Sequence, residues 1–289
     1  MNGRILVTGA SGGLGRQVVE FLLDRVPVGR VAALARNPES LADLTGRGVS
    51  VRTGDYFDPA GLERAFRDVE KLLLVSAMAF TDAKTAHRNV ISAARTAGVR
   101  HLHYTAIQRH PGSAAVIPQV TDWDEDAEKA LAGSGLDVTV LRNSQYLDSL
   151  DDLIGEIAPD RVIRVPAGHT PMALATRRDM AEATAAVLAT DGQAGRDYTL
   201  AGSRAFTLPD VAAVLSEITG ERVTYQDTPV EEYAATRIEA GMPEPWAWFT
   251  ASWFQAAADG AFTPAGDIEH LTGRPSTPLR EFLRQRRSR

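Results

Sequence analysis

The segment Thr8-Gly9-Ala10-Ser11-Gly12-Gly13-Leu14-Gly15 follows the apolar run Ile5-Leu6-Val7 and opens a stretch with apolar residues at helical spacing. Glycines at 9, 12 and 15 divide three mechanical tasks in a phosphate-binding turn. The first permits the tight bend, the second lets a pyrophosphate reach the backbone, and the third lets the helix pack close to the strand. The unpaired N–H groups at the start of that helix, with the positive end of its dipole, then face the phosphates. Thr8, Gly9, Ser11, Gly12, Gly13, Leu14 and Gly15 are therefore expected to hold a dinucleotide. Gly9-Ala10-Ser11-Gly12-Gly13 also satisfies the G-x-S-x-G pattern of a nucleophile elbow, but an elbow follows several strands and does not need the third glycine.

Which dinucleotide binds should be written at the end of the second strand, where a carboxylate would take the ribose 2′-OH. Val31–Ala35 ends instead in Arg36-Asn37. A guanidinium there can pair bidentately with a 2′-phosphate and stack on adenine, so NADP (NADPH) is expected over NAD, which stays possible. A solvated arginine at a strand end is the plainer alternative. His101-x-His103 puts two imidazoles on one side of a strand, but no third ligand sits at recognisable spacing and no metal site is expected. His87 and Asn89 are expected in structural roles. The run Asp122-Trp123-Asp124-Glu125-Asp126 reads as a solvated first helical turn, and Arg280, Arg284, Arg286, Arg287 and Arg289 as a solvated, frayed end. Trp246, Phe249 and Trp253 share one helical face, with Trp248 elsewhere. That face is either core or a subunit contact, or a wall that closes over the cofactor cleft and stacks an aromatic acceptor.

These residues need a scaffold, and short β-branched runs alternate with helical patterns as in a parallel α/β sheet. Strands are predicted at Arg4–Val7, Val31–Ala35, Val49–Arg52, Leu72–Ser76, His101–Thr105 and Val138–Arg142. Helices are predicted at Gly13–Val26, Pro59–Val69, Ala83–Ala97 and Trp123–Ala132. The fold class is thus α/β, a Rossmann-like doubly wound parallel sheet with a smaller α/β C-terminal subdomain. The dinucleotide-binding domain is placed at 1–146 and the substrate-binding subdomain at 147–289, with some later segments returning to the sheet. In the second part, helices are predicted at Leu147–Ile157, Arg178–Ala189 and Leu208–Ile218, and strands at Arg161–Val165, Tyr198–Ala201 and Val223–Gln226.

Among 289 residues there is no cysteine, which removes disulfide scaffolds, thiolate metal sites and cysteine nucleophiles together. A net charge of -6 argues against a nucleic-acid partner. No leader-like segment and no apolar run near the roughly 20 residues of a membrane span is visible, so a cytoplasmic location without membrane contact is expected.

The chain resembles the NmrA-like branch of the atypical short-chain dehydrogenase/reductases, which includes bacterial quinone reductases and triphenylmethane reductases. The resemblance rests on Val7 to Gly15, Ala35-Arg36-Asn37-Pro38, Gly54-Asp55-Tyr56, Val69 to Ser76, His87-Arg88-Asn89-Val90-Ile91, Tyr104-Thr105, Leu141-Arg142-Asn143 and Thr176-Arg177-Arg178-Asp179. It implies that Asp55 and Tyr56 sit beside the adenine, that Ser76, Tyr104 and Thr105 line the cofactor, and that Asn143 lies near the nicotinamide and acceptor. The sequence departs from the wider superfamily in lacking a Tyr-x-x-x-Lys pair, and it carries Asp124 where close relatives are expected to have histidine. Ordinary alcohol dehydrogenase chemistry is therefore disfavoured. Reduction of a quinone-like acceptor survives those losses, with Asn143 and Tyr146 just beyond a strand end offering a hydrogen bond to the developing oxyanion. Tyr146 could equally be a rim aromatic. The resemblance also leaves open a cofactor-binding regulator that senses the dinucleotide without turnover, and a homodimer.

Overall fold

The computed structural model describes residues 3–77, 80–109, 114–155 and 160–287. Among the described residues nine strands form: β1 (Arg4–Val7), β2 (Val31–Ala35), β3 (Ser50–Thr53), β4 (Val69–Leu74), β5 (His101–Ile107), β6 (Asp137–Asn143), β7 (Val162–Val165), β8 (Asp197–Leu200) and β9 (Thr224–Asp227). Seven make one parallel sheet in the order β3-β2-β1-β4-β5-β6-β8. The first six reproduce the dinucleotide-binding order, in which the winding reverses between β1 and β4 and opens a crevice at their carboxyl ends.

Side-chain alternation along the strands sends residues to two separate cores. Ile5 and Val7 of β1 and Leu73 of β4 pack under α1 (Gly13–Leu23) and, with it, α7 (Arg177–Ala189). Leu6, Leu72 and Leu74 face the other side, covered by α3 (Pro59–Ala65), α4 (Ala83–Thr96) and α5 (Val120–Ala132). This is the doubly wound arrangement that the pattern predicts. The small helix α2 (Ala42–Gly46) joins the first of these cores through Leu44.

The third core is built by α6 (Leu150–Ile154), α8 (Leu208–Thr219), α9 (Val230–Glu239), α10 (Glu244–Ala258) and α12 (Leu279–Arg287) around the two-strand ribbon β7–β9. Helix α11 (Asp267–Thr272) instead packs on α7. Thr207 and Asp210 form a reciprocal capping box at the start of α8, which fixes its N-terminus with Pro209 in the first turn. The two parts interlock: α7 packs along α1, and β8 extends the main sheet beyond β6. Lys71 of β4, 2% exposed, gives its ammonium to the carbonyls of Leu188 and Thr190 and to the Asp191 carboxylate.

Several boundaries differ from the sequence prediction. Helix α3 stops at Ala65, because Asp68 takes a left-handed turn at φ 61° and β4 then starts at Val69 rather than Leu72. The predicted helix 147–157 is a short 3-10 turn followed by α6, and Gly155 ends it at φ 73°; its last two residues lie outside those described. Helix α5 begins three residues early, at Val120. Asp124 lies on its buried face with Val120, Trp123, Ala127 and Leu131, so the acidic run is not wholly solvated. Of the C-terminal arginines, Arg280, Arg284 and Arg286 are exposed on α12 as a solvated helix end, with Arg280 paired to Glu217 and Arg286 to Asp151; Arg289 lies outside the described residues.

Candidate active site

Helix α1 starts at the crevice. Its N-cap is Gly12, with no side-chain cap and no carboxylate in the first turn. Gly9 adopts φ 58°, a conformation that favours glycine, and Gly12 N–H donates to the Gly9 carbonyl at 2.9 Å. A Cβ on Gly15 would meet the Gly9 carbonyl group and, at 3.0 Å, the Thr8 carbonyl oxygen. A Cβ on Gly12 would meet only the Gly9 oxygen, at 3.2 Å, and otherwise stand in open space. The cradle is thus shaped by absent side chains, with Ser11, Gly12 and Gly13 exposed above it and Leu14 and Gly15 packed beneath.

Behind the loop, Thr8 is fully buried. Its hydroxyl accepts from Val75 N–H at 3.0 Å and donates to the Tyr56 oxygen at 2.5 Å, while the Tyr56 hydroxyl donates to the Val75 carbonyl at 2.9 Å. Burial raises the Tyr56 phenol above its usual range, so it stays protonated in this closed ring. Thr105 performs a similar service, accepting from Ser76 N–H at 2.9 Å. Tyr104 corrects the expectation of a cofactor-lining side chain: it is fully buried, and its hydroxyl donates to Asp124 Oδ1 at 2.5 Å. At the ends of β2 and β3, Arg36 and Asp55 line a cleft of about 580 Å³. Arg36 is exposed and makes no ion pair with a described residue; Asp55 accepts from Phe57 N–H at 2.9 Å.

The larger cleft, about 1200 Å³, opens between the carboxyl ends of β5 and β6 and helices α9 and α10. Asn143, the last residue of β6, and Tyr146 form part of its wall. The Asn143 side chain acts on the Tyr146 hydroxyl in the sense of a donor, and its Oδ1 is buried with no partner, so Nδ2 is the atom turned toward the phenol. Arg177 lies over the Tyr146 ring at 4.7 Å and also beside Gly13, joining glycine loop and cleft. Burial raises the Tyr146 phenol, against the Arg177 charge and the Asn143 hydrogen bond.

The opposite wall is aromatic. Helix α10 turns Ala251, Phe254 and Ala257 into the third core and presents Trp246, Phe249 and Trp253 to the cleft, while Trp248 is exposed outside it. Phe80 packs on Trp246 at 4.5 Å. The face serves both readings in part: Phe249 and Trp253 pack against the third core, and all three rings line the cleft. His87 accepts from Ala77 N–H at 2.9 Å, and Asn89 donates to the Tyr56 carbonyl, both structural contacts. His101 and His103 stack at 4.0 Å inside the sheet, and among the described residues no group of three or more His, Asp or Glu could hold a metal.

Two participants escaped the sequence reading. Arg177 stands in the sequence as one member of Thr176-Arg177-Arg178-Asp179, and its place beside both loop and cleft depends on α7 packing on α1. Asp124 belongs to an acidic run whose composition suggests a solvated turn, yet Val120, Trp123, Asp124, Ala127 and Leu131 follow the spacing of a buried helix face. Its Oδ2 accepts from Ile107 N–H at 2.8 Å, and burial pushes it up to about 6 against that bond and the one from Tyr104.

The arrangement fits a dinucleotide on two structural counts: the uncapped glycine cradle, and a buried amide oxygen with no partner at the crevice. Comparison with known proteins agrees. Residues 1–283 match the NmrA-like family. The chain is 37% identical over 280 residues to quinone oxidoreductase 2 of Escherichia coli, covering 96% of this chain and 97% of that protein. Among solved structures, the Citrobacter triphenylmethane reductase complexed with NADP(H) superposes at TM-score 0.89 with 34% identity, covering 98% and 99% of the two chains. The NADPH complex of the Escherichia coli NADPH-dependent quinone oxidoreductase gives 0.88 with 36% identity, covering 97% and 99%. No described helix is long and apolar enough to cross a membrane. A family match over nearly the whole chain, with the loop, sheet order and crevice in register, makes this protein a member of the NmrA-like family.

Proposed function

We infer that this protein is an NADPH-dependent oxidoreductase that reduces a quinone or similar conjugated acceptor. Family, relatives and the glycine cradle support the cofactor and the reaction class together. The observation that carries the acceptor is the cleft itself: an aromatic wall of Trp246, Phe249 and Trp253 stands opposite the polar pair Asn143 and Tyr146, a slot suited to a planar ring with an oxygen at one edge. When bound, the nicotinamide supplies hydride.

The chain's own residues do the rest. The N–H groups of the α1 start hold the pyrophosphate, and Thr8, Gly9, Ser11, Gly12, Gly13, Leu14 and Gly15 shape that seat. Arg36 takes the 2′-phosphate, Asp55 and Tyr56 flank the adenine, and Ser76, backed by Thr105, lines the path to the cleft. Asn143 Oδ1 accepts from the carboxamide. Its Nδ2 occupies the Tyr146 oxygen, which leaves the phenolic hydrogen free to meet the oxyanion that forms on the acceptor. A redox sensor would need the cradle but has no use for a preformed cleft of about 1200 Å³ beside it. NADPH consumption against quinones, dyes and simple carbonyls tests this reading. Tight NADPH binding with no acceptor-dependent consumption would establish the sensor instead, and turnover confined to simple ketones would overturn the quinone assignment.

A further inference from the structure

Three carboxylates line the large cleft, and they differ in one respect: Asp152 and Glu232 are exposed, whereas Asp124 is 1% exposed. Burying a carboxylate is costly unless hydrogen bonds hold it or a proton neutralises it. Asp124 has provision for both. Each carboxylate oxygen has two acceptor positions, and Tyr104 and Ile107 occupy one on each. A proton can therefore reside on either oxygen without displacing these donors, and both donors remain to stabilise the anion once the proton leaves. Ile107 pairs directly with Asn143 across β5 and β6, so Asp124 stands one hydrogen bond from the strand end that carries the polar side of the cleft.

We propose that Asp124 is the proton source for the reduced acceptor, a role that rests on the quinone reading above. Hydride transfer from NADPH to a neutral quinone leaves an aryl oxyanion. The Asp124 O–H bond then breaks as that oxygen takes the proton, giving the hydroquinone, and water returns a proton to the carboxylate. Tyr146 cannot easily replace it, because its buried phenol is raised above the usual range and suits a hydrogen-bond donor rather than a proton donor. Asp124 is held near 6, where a proton is available and can be released. The charges facing it are few. Glu128 on the same helix is paired with Arg142 and Arg109, Arg109 itself comes from the segment after β5, and His87 of α4, edge-on to Tyr104, is held neutral with its pKa lowered to about 4 by burial.

The test compares two acceptors with different proton demand. A neutral quinone needs hydride and a proton; a triarylmethyl cation needs hydride alone and becomes neutral. Asp124→Asn should slow quinone reduction by roughly 10- to 100-fold at pH 6, at or below the lower end of the usual 10²–10⁴-fold contribution of a general acid, because the oxyanion is already stabilised. Cation reduction should change by less than about threefold. The fall in quinone turnover as pH rises above about 6 should vanish in the variant. A carboxylic C=O infrared band in the protein without acceptor should titrate near the same pH and be missing from Asp124→Asn. Tyr104→Phe removes a donor to the carboxylate, so it should move both the band and the kinetic limb to higher pH, and this holds even if Asp124→Asn folds poorly. Equal loss on both acceptors, or a Tyr104→Phe limb that does not move, would make Asp124 a purely structural tie between α5 and β5. If wild type reduces neither acceptor, the quinone reading fails and this role fails with it.

Discussion

Replacing Gly15 by alanine should separate packing from ligand binding in the glycine cradle. The new Cβ would lie 2.8 Å from the Gly9 carbonyl carbon and 3.0 Å from the Thr8 oxygen, with the Gly9 oxygen nearer still. All three are backbone atoms, so no side-chain rotation relieves the overlap. Helix α1 must move away from β1, and it carries Leu14, Val18, Val19 and Leu22 in the core. Overpacking of this kind costs roughly 1–3 kcal/mol, and with only backbone to yield we expect about 3. At about 2 °C per kcal/mol for a chain of this size, Tm should fall by on the order of 5 °C. Gly12→Ala gives the contrast. Its Cβ needs only a few tenths of an ångström from the Gly9 oxygen but occupies the phosphate approach, so Tm should fall by less than about 2 °C. NADPH at 100 times the wild-type Kd should stabilise wild type by about 2.7 kcal/mol, and a 100-fold weaker site would lose nearly all of that gain. Differential scanning fluorimetry with and without NADPH reads both effects. A Gly12→Ala protein with an undiminished NADPH shift, or a Gly15→Ala protein that melts with wild type, would refute the assignment of these glycines.

Arg36→Ala should weaken NADPH by about 10- to 150-fold, the loss of a charge-assisted bidentate contact, and leave NADH nearly unchanged; calorimetric titration with both cofactors decides, and equal loss would remove Arg36 from the specificity argument. Asn143→Ala should reduce turnover by about 10- to 100-fold in stopped-flow assays and weaken NADPH only modestly, because it removes both the carboxamide acceptor and the group that orients Tyr146. Trp246→Leu and Trp253→Leu should raise acceptor KM several-fold, whereas Trp248→Leu, outside the cleft, should not; unchanged KM in all three would move the acceptor elsewhere. Burial lowers His87 to about 4 and holds His103 well below the ordinary imidazole range, so the unfolded chain binds these protons first as pH falls. Stability should therefore drop between pH 7 and 5, by up to about 2 kcal/mol at pH 5 for each histidine that stays neutral, as urea titrations would show.

The first half of the fold was legible because local signals and sheet topology agree there. The β1–loop–α1 unit has its glycines, alternation and helical face in register, and the six-strand order follows once the crossovers are right-handed. Boundaries failed where one residue's backbone decided them, as at Asp68, whose left-handed turn advances β4. The glycine loop, Arg36 and Asn143 with Tyr146 could be singled out as candidates because motif and strand end coincide, and the structure places them at the crevice and its two clefts. Tyr104 and Asp124 could not be placed so simply. The strand pattern says that Tyr104 is buried or lines a site, without choosing, and Asp124 required the start of α5 to be known to within one turn. Arg177 meets Tyr146 only through the packing of α7 on α1, a contact that no spacing within the chain encodes.

The buried Lys71 ammonium has a consequence for protein engineering. Its acceptors, Leu188, Thr190 and Asp191, all come from beyond residue 146, so a fragment ending there would keep a charged amine in its sheet without partners and would also lose the strand beside β6. Separately expressed halves should need each other to fold, and chimeras joined at that point should inherit the defect. The graft that respects these ties is narrower: exchanging Val230–Ala258, the helices of the aromatic wall, would transplant acceptor preference between relatives while every partner of Lys71 stays in its own chain.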